Sequence, residues 1–133
     1  MKEERSRSEA VEQRLEAIVV PVSDIDRTRH FYRALGFRLD LDQVAGEGRR
    51  VVQLTPPGSL CSIVIGTGIS SAEPGSTVGI LTVPDVEAAA AELQARGAAP
   101  GPITACQDGF AHTSFRDPDG NLWLLVDGIH LSS

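Results

Sequence analysis

The chain repeats itself once. Val22-Ser23-Asp24-Ile25-Asp26 returns 61 residues later as Val83-Pro84-Asp85-Val86-Glu87, and Gly36 returns as Gly97 at the same offset. Thr55-Pro56-Pro57-Gly58-Ser59 matches Asp117-Pro118-Asp119-Gly120-Asn121 at an offset of 62. Two copies of so long a unit are an internal duplication, since a solenoid needs three or more repeats to bury its core. Each copy carries the pattern of a strand, a helix and three strands. One helix can cover only one face of its sheet. The other face must be buried by a partner half or wrapped around a ligand.

The elements follow from local signals. Residues 15–22 are rich in Ile and Val and predict a strand. Ser23 or Asp24 caps a helix running to about Leu35, with Gly36 at the left-handed position that ends it. Residues 37–42 alternate with period two and predict a strand with one wet face. Strands at 49–55 and 60–66 flank the turn at 56–59, and the Gly- and Ser-rich stretch 67–75 is the natural linker. The second copy predicts a strand at 77–83, a helix capped by Asp85 and ending at Arg96-Gly97, and a short strand at 103–106. After a loop at 107–109, residues 110–116 pair with 122–126 around Asp117-Pro118-Asp119-Gly120-Asn121. In that turn Pro118 presets φ, Gly120 permits φ > 0, and Asp and Asn bond nearby amides. The expected organisation is an exposed N-terminal tail at 1–13 and one domain at 14–130. Within the domain, module 1 spans about 14–67 and module 2 about 77–128.

Charge excludes some functions. The 133 residues carry 12 basic and 18 acidic side chains, a net charge of −6, with no basic cluster for nucleic acid. No apolar run reaches membrane-spanning length, and residues 1–13 lack an apolar signal core. The expectation is therefore a cytoplasmic protein whose Cys61 and Cys106 are reduced thiols without metal-type spacing.

The duplicated modules, Val22-Ser23-Asp24, Phe31-Tyr32 before Leu35-Gly36-Phe37, and Asp117-Pro118-Asp119-Gly120-Asn121 together resemble the vicinal oxygen chelate superfamily. That is the glyoxalase, bleomycin-resistance and extradiol-dioxygenase group, and the resemblance covers about residues 15–127. It implies an α+β fold of two βαβββ modules forming a curved eight-stranded mixed sheet. It also implies a homodimer. In metal-using members, four ligands, mostly His and Glu, come from the first and fourth strands of the modules. Counting along the motifs puts those positions at Ala17, Val78, Leu124 and Ser62. Three of these are apolar, and a divalent cation needs imidazole, thiolate or carboxylate ligands. The resemblance therefore points to a branch with no metal and no other cofactor.

Strand parity orients the remaining side chains. If Leu124 faces the cavity, so do Leu122 and Val126, while Trp123 and Leu125 face the helices. Pairing around the turn brings His112, Ser114 and Arg116 to the same concave face, and Ala17, Val19, Ser62, Val64, Val78, Ile80 and Thr82 complete it. A mostly apolar cup with a few polar groups suits an organic molecule of moderate size. The expected ligand contacts are Val19, Ser62, Val64, Ile80, Thr82, His112, Ser114, Arg116, Leu122 and Leu124. Three readings follow. One is a metal-free binder of a small organic molecule, such as an antibiotic or other secondary metabolite. Another is a metal-independent lyase, isomerase or cyclase with His112 as acid or base, Arg116 or Ser114 steadying charge, and Asp108 nearby in the loop. The third is a dimerisation or regulatory domain. Tyr32, the only tyrosine, is assigned to the core, while His30 is placed in solvent and His130 in the tail.

Overall fold

Each module starts its helix with a carboxylate. Asp24 Oδ1 accepts the Arg27 N–H at 3.0 Å, and Asp85 Oδ1 accepts those of Glu87 and Ala88 at 2.9 and 3.3 Å. Such caps satisfy amides that the first helical turn leaves without partners. Both helices stop at a glycine in the left-handed region, Gly36 at φ +98° and Gly97 at φ +104°, where a Cβ would be strained. The structure is a computed structural model that describes residues 10–105 and 111–127. Module 1 contains β1 (Ala17–Val19), α1 (Ile25–Ala34), β2 (Arg38–Val44), β3 (Arg50–Thr55) and β4 (Ser62–Gly66). Module 2 contains β5 (Val78–Thr82), α2 (Val86–Ala95), β6 (Thr104–Ala105), β7 (Ala111–Arg116) and β8 (Leu122–Val126). Cys106, the loop at 107–109 with Asp108, Phe110, His130 and most of the N-terminal tail lie outside the described residues.

The eight strands make two four-stranded mixed sheets of the same topology, β1-β4-β3-β2 and β5-β8-β7-β6. In each, the first strand runs parallel to the last strand of its module, and the other pairs are antiparallel. The closing hairpin has the expected register, with Arg116 opposite Leu122, Ser114 opposite Leu124 and His112 opposite Val126. Among the described residues no helix is long and apolar enough to cross a membrane.

Two expectations need correction. The strand expected at 15–22 pairs only over Ala17–Val19. Pro21 has no N–H for a ladder, and its carbonyl is taken up elsewhere, accepting from Gly75 N of the linker at 3.1 Å and from Asn121 Nδ2 of module 2 at 2.9 Å. Strict alternation in β2 also fails. Leu39 stands opposite Leu54 but Leu41 opposite Gln53, so a bulge inserts Asp40 as an extra residue. Leu39 packs on the core, whereas Leu41 crosses to the open face and is 39% exposed.

Both sheets turn their helix sides into one shared core. Val20, Leu54 and Ile63 of module 1 join Phe115, Trp123 and Leu125 of module 2 around the fully buried Tyr32. The Tyr32 hydroxyl donates to Asp117 Oδ2 at 2.8 Å and accepts from Trp123 Nε1 at 2.9 Å. Burial first, and the neighbouring Asp117 charge second, push the Tyr32 pKa far above its ordinary value, so the phenol stays a neutral donor. Asp117 also accepts from Asn121 Nδ2 at 2.9 Å and from the Asp119 and Asn121 amides at 3.0 Å. Asn121 Oδ1 takes the Thr77 N–H at 2.9 Å, and Asp119 takes the Ser23 amide and hydroxyl at 3.0 and 2.6 Å. A turn that looks like a simple hairpin in sequence thus fastens module 2 to the end of β1 and to α1.

On the outer edge of module 1, Arg50 holds Asp42 with two bonds of 2.9 Å and Asp26 with one of 2.7 Å, and Arg29 reaches Asp42 at 2.6 Å. The Arg50 hydrogen bonds are the main cause of an Asp42 pKa lowered to about 2. A depressed carboxylate pKa gives stability that is present above the ordinary carboxylate value and lost as pH falls through the folded one. Asp42→Asn is therefore expected to flatten the fall in urea midpoint between about pH 4 and about pH 2, while leaving a smaller, salt-sensitive loss near neutrality. Midpoints of both proteins across that range check it.

Candidate functional site

The face of each sheet turned away from the core is open. In module 1 it is built from Ala17 beside Ser62 and Val19 beside Val64. In module 2, Val78, Ile80 and Thr82 stand beside Leu122, Leu124 and Val126, which in turn stand beside Arg116, Ser114 and His112. The structure thus brings Ile80, Thr82, His112, Ser114, Arg116, Leu122 and Leu124 onto one face, and Val19, Ser62 and Val64 onto another. Among the described residues, nothing covers the apolar side chains at the β1 and β5 edges of these faces. Val19, Val78 and Ile80 remain 37%, 65% and 64% exposed, although all three are branched apolar side chains in strands. A soluble protein seldom leaves such rows bare unless something binds there.

The polar groups on these faces are held in set directions. On module 1, Thr55 donates its hydroxyl to Asp40, and Ser62 Oγ lies 2.7 Å from Thr55 Oγ1. The Arg38 hydrogen bond keeps the Asp40 pKa below its usual value, so that carboxylate only accepts. Thr55 has then spent its proton, and Ser62 must donate to it. What Ser62 keeps for the open face is acceptor capacity, on a residue only 5% exposed. On module 2, Arg116 Nη1 donates to the Gly120 carbonyl at 2.9 Å, which anchors an exposed guanidinium over the turn. His112 is half-buried between Thr104 and Val126.

The sequence model of the Glyoxalase/Bleomycin resistance protein/Dioxygenase superfamily matches residues 14–125. The chain belongs to this superfamily. Among solved structures, it is similar to TnmS3, an antibiotic binding protein from Streptomyces sp. CB03234, at 33% identity and a TM-score of 0.77. That match covers 89% of this chain and 98% of TnmS3. A glyoxalase/bleomycin resistance protein from the same Streptomyces is 35% identical, with a TM-score of 0.71, over 84% of this chain and 98% of its own. A superfamily member from Sphaerobacter thermophilus DSM 20745 is 26% identical, with a TM-score of 0.74, over 87% and 98% of the two chains. No curated protein sequence matches the chain significantly.

Strand pairing corrects one position of the superfamily's metal set. Ala17 pairs with Ser62 as Val78 pairs with Leu122. Two residues further along each last strand, Leu124 therefore corresponds to Val64, not to Ser62. Pairing makes Pro56 rather than Thr55 the counterpart of Asp117, and the hairpin at 56–61 is one residue longer than that at 117–121; the count along the motifs missed both. The corrected set of Ala17, Val64, Val78 and Leu124 is wholly apolar, so these residues do not fit a divalent cation. Among the described residues, no three His, Cys, Asp or Glu side chains gather as a metal site elsewhere.

A hollow of the described residues lies elsewhere. A groove of about 570 Å³ runs along the free edge of β5, between α2 and the turn at 56–59. It shares Ile80 and Thr82 with the expected ligand contacts, but its floor is Phe115, Leu125 and Leu93, on the helix side of the sheet. Nothing in the sequence marked it, because a void is set by what neighbouring side chains fail to fill.

Proposed function

We propose that the chain is a metal-independent binder of a mostly apolar small organic molecule, an antibiotic or a related secondary metabolite. The binding surface is the pair of open sheet faces, closed into a cup by a second copy of the chain. The observation that carries this is the exposed apolar row of Val19, Val78 and Ile80 beside the apolar set at Ala17, Val64, Val78 and Leu124. In place of a cation, the cup offers Ser62 as an acceptor and His112, Ser114 and Arg116 as orienting groups. Few fixed polar contacts on an apolar wall are what orient a moderate-sized organic ligand. The likeness to TnmS3 at 33% identity supports an antibiotic as the ligand class. The domain then spans residues 14–130 and works in the cytoplasm as a homodimer.

A metal-based reading of the same fold makes an opposite prediction. Ni²⁺, Zn²⁺, Mn²⁺ or Fe²⁺ added to chelator-treated protein is expected to leave its thermal midpoint unchanged, because a cation that does not bind the folded chain does not stabilise it. A rise in midpoint with any of the four, matched by about one retained equivalent per chain, would overturn the proposal.

A further inference from the structure

The duplication gives the molecule two junctions between its modules, and they are not alike. At one, the β7–β8 turn of module 2 docks on α1 and the end of β1. Tyr32, Trp123 and Asp117 fill and bond that contact, and Asp119 and Asn121 add bonds to Ser23 and Pro21. At the other, the β3–β4 turn of module 1 faces α2 and the end of β5. Helix alignment makes Leu93 the counterpart of Tyr32 and Glu92 that of Phe31. Strand pairing makes Ile63 the counterpart of Trp123 and Pro56 that of Asp117. Each exchange at Tyr32, Trp123 and Asp117 removes an aromatic ring or a polar handle. The consequence is the groove of about 570 Å³, which both Leu93 and Pro56 line.

We propose that this second junction is a binding site for an uncharged planar aromatic molecule, on the helix side of the sheet from the cup and bordering it only at Ile80 and Thr82. The ring would take the place that the Tyr32 ring occupies at the first junction, over Phe115 and Leu125 and beneath Pro57. Three observations support it. The volume lies within the range of small-molecule sites. The walls are apolar on three sides, from Leu35 and Phe37, from Leu93 and Ala89, and from the two prolines. The lining carries no lysine or arginine to receive an anionic ring, and its two carboxylates are engaged, Asp85 as the cap of α2 and Glu92 with Arg96 at 3.1 Å.

Indole is a suitable probe, titrated into the full chain while amide chemical shifts are followed by NMR. Saturable shifts are expected at Gly58, Ala88, Ala89 and Leu93, with none at Val19, Leu122 or Leu124. Leu93→Phe should rebuild the missing ring, weaken indole binding at least tenfold and raise the thermal midpoint. Ala88→Trp, on the exposed rim, should also weaken indole at least tenfold without touching the core, and it keeps the test valid if the first variant folds poorly. Shifts confined to the open sheet faces, or binding unaffected by both variants, would overturn the proposal. So would indole binding that appears only after residues 128–133 are removed, which would assign the groove to the chain's own C-terminus.

Discussion

Asp117→Ala is expected to lower stability by about 3–5 kcal/mol, among the largest effects of any single substitution in the chain. Asp117 is 5% exposed and accepts from Tyr32, from the Asn121 side chain and from two backbone amides. Alanine would leave these donors buried without an acceptor, and each stranded polar group costs about 1–3 kcal/mol, less than additively in one network. Since small domains hold about 5–15 kcal/mol in all, the variant should be partly unfolded at 37 °C. Asp119→Ala, which loses only the bonds to Ser23 near the surface, should cost about 1 kcal/mol. Urea unfolding of the two variants checks the ranking. Equal losses would mean that the turn is fastened by its exposed rather than its buried carboxylate.

Ile80→Asp should do the opposite, sparing the fold and abolishing binding. Ile80 is 64% exposed in the single chain, so its replacement should change monomer stability by no more than about 0.5 kcal/mol. In the closed cup the same position is apolar wall, where an unpaired carboxylate costs several kcal/mol or forces the site to stay wet. Ligand affinity is expected to fall by about 100-fold or more. His112→Ala removes at most one hydrogen bond, about 0.5–1.5 kcal/mol or up to about tenfold in affinity. Isothermal titration of both variants gives the comparison. The reverse order, with a turnover loss of about 10²–10⁴ at unchanged affinity in His112→Ala, would favour acid–base catalysis over binding.

Much of the fold is legible in the residues because it rests on short-range rules. Asp24 and Asp85 cap, Gly36 and Gly97 terminate, and Asp117-Pro118-Asp119-Gly120-Asn121 sets the register of β7 and β8. The alternation of β8 then decides which side chains reach the open face. What local rules cannot register is length compensated in space. The bulge at Asp40 sends Leu41 across the sheet, although the sequence alternates without a break. Pro56, not Thr55, stands where Asp117 does, and the hairpin at 56–61 adds one residue more, so together they move the count along β4 by two and exchange Ser62 for Val64. The double duty of Asp117 and Asn121 was hidden for another reason. Turn chemistry already explained both residues, so nothing called for their long-range bonds to Tyr32, Pro21 and Thr77.

The central claim is that the open faces bind an organic molecule without a metal, in a cup made by two chains. Native mass spectrometry tests it most directly, on chelator-treated protein incubated with an organic extract of bacterial secondary metabolites. The expected result is a dimer carrying one or two organic adducts and no metal, with the adducts missing from Ile80→Asp. A protein that acquires adducts only when a divalent metal is restored, with about one metal per chain, would contradict it.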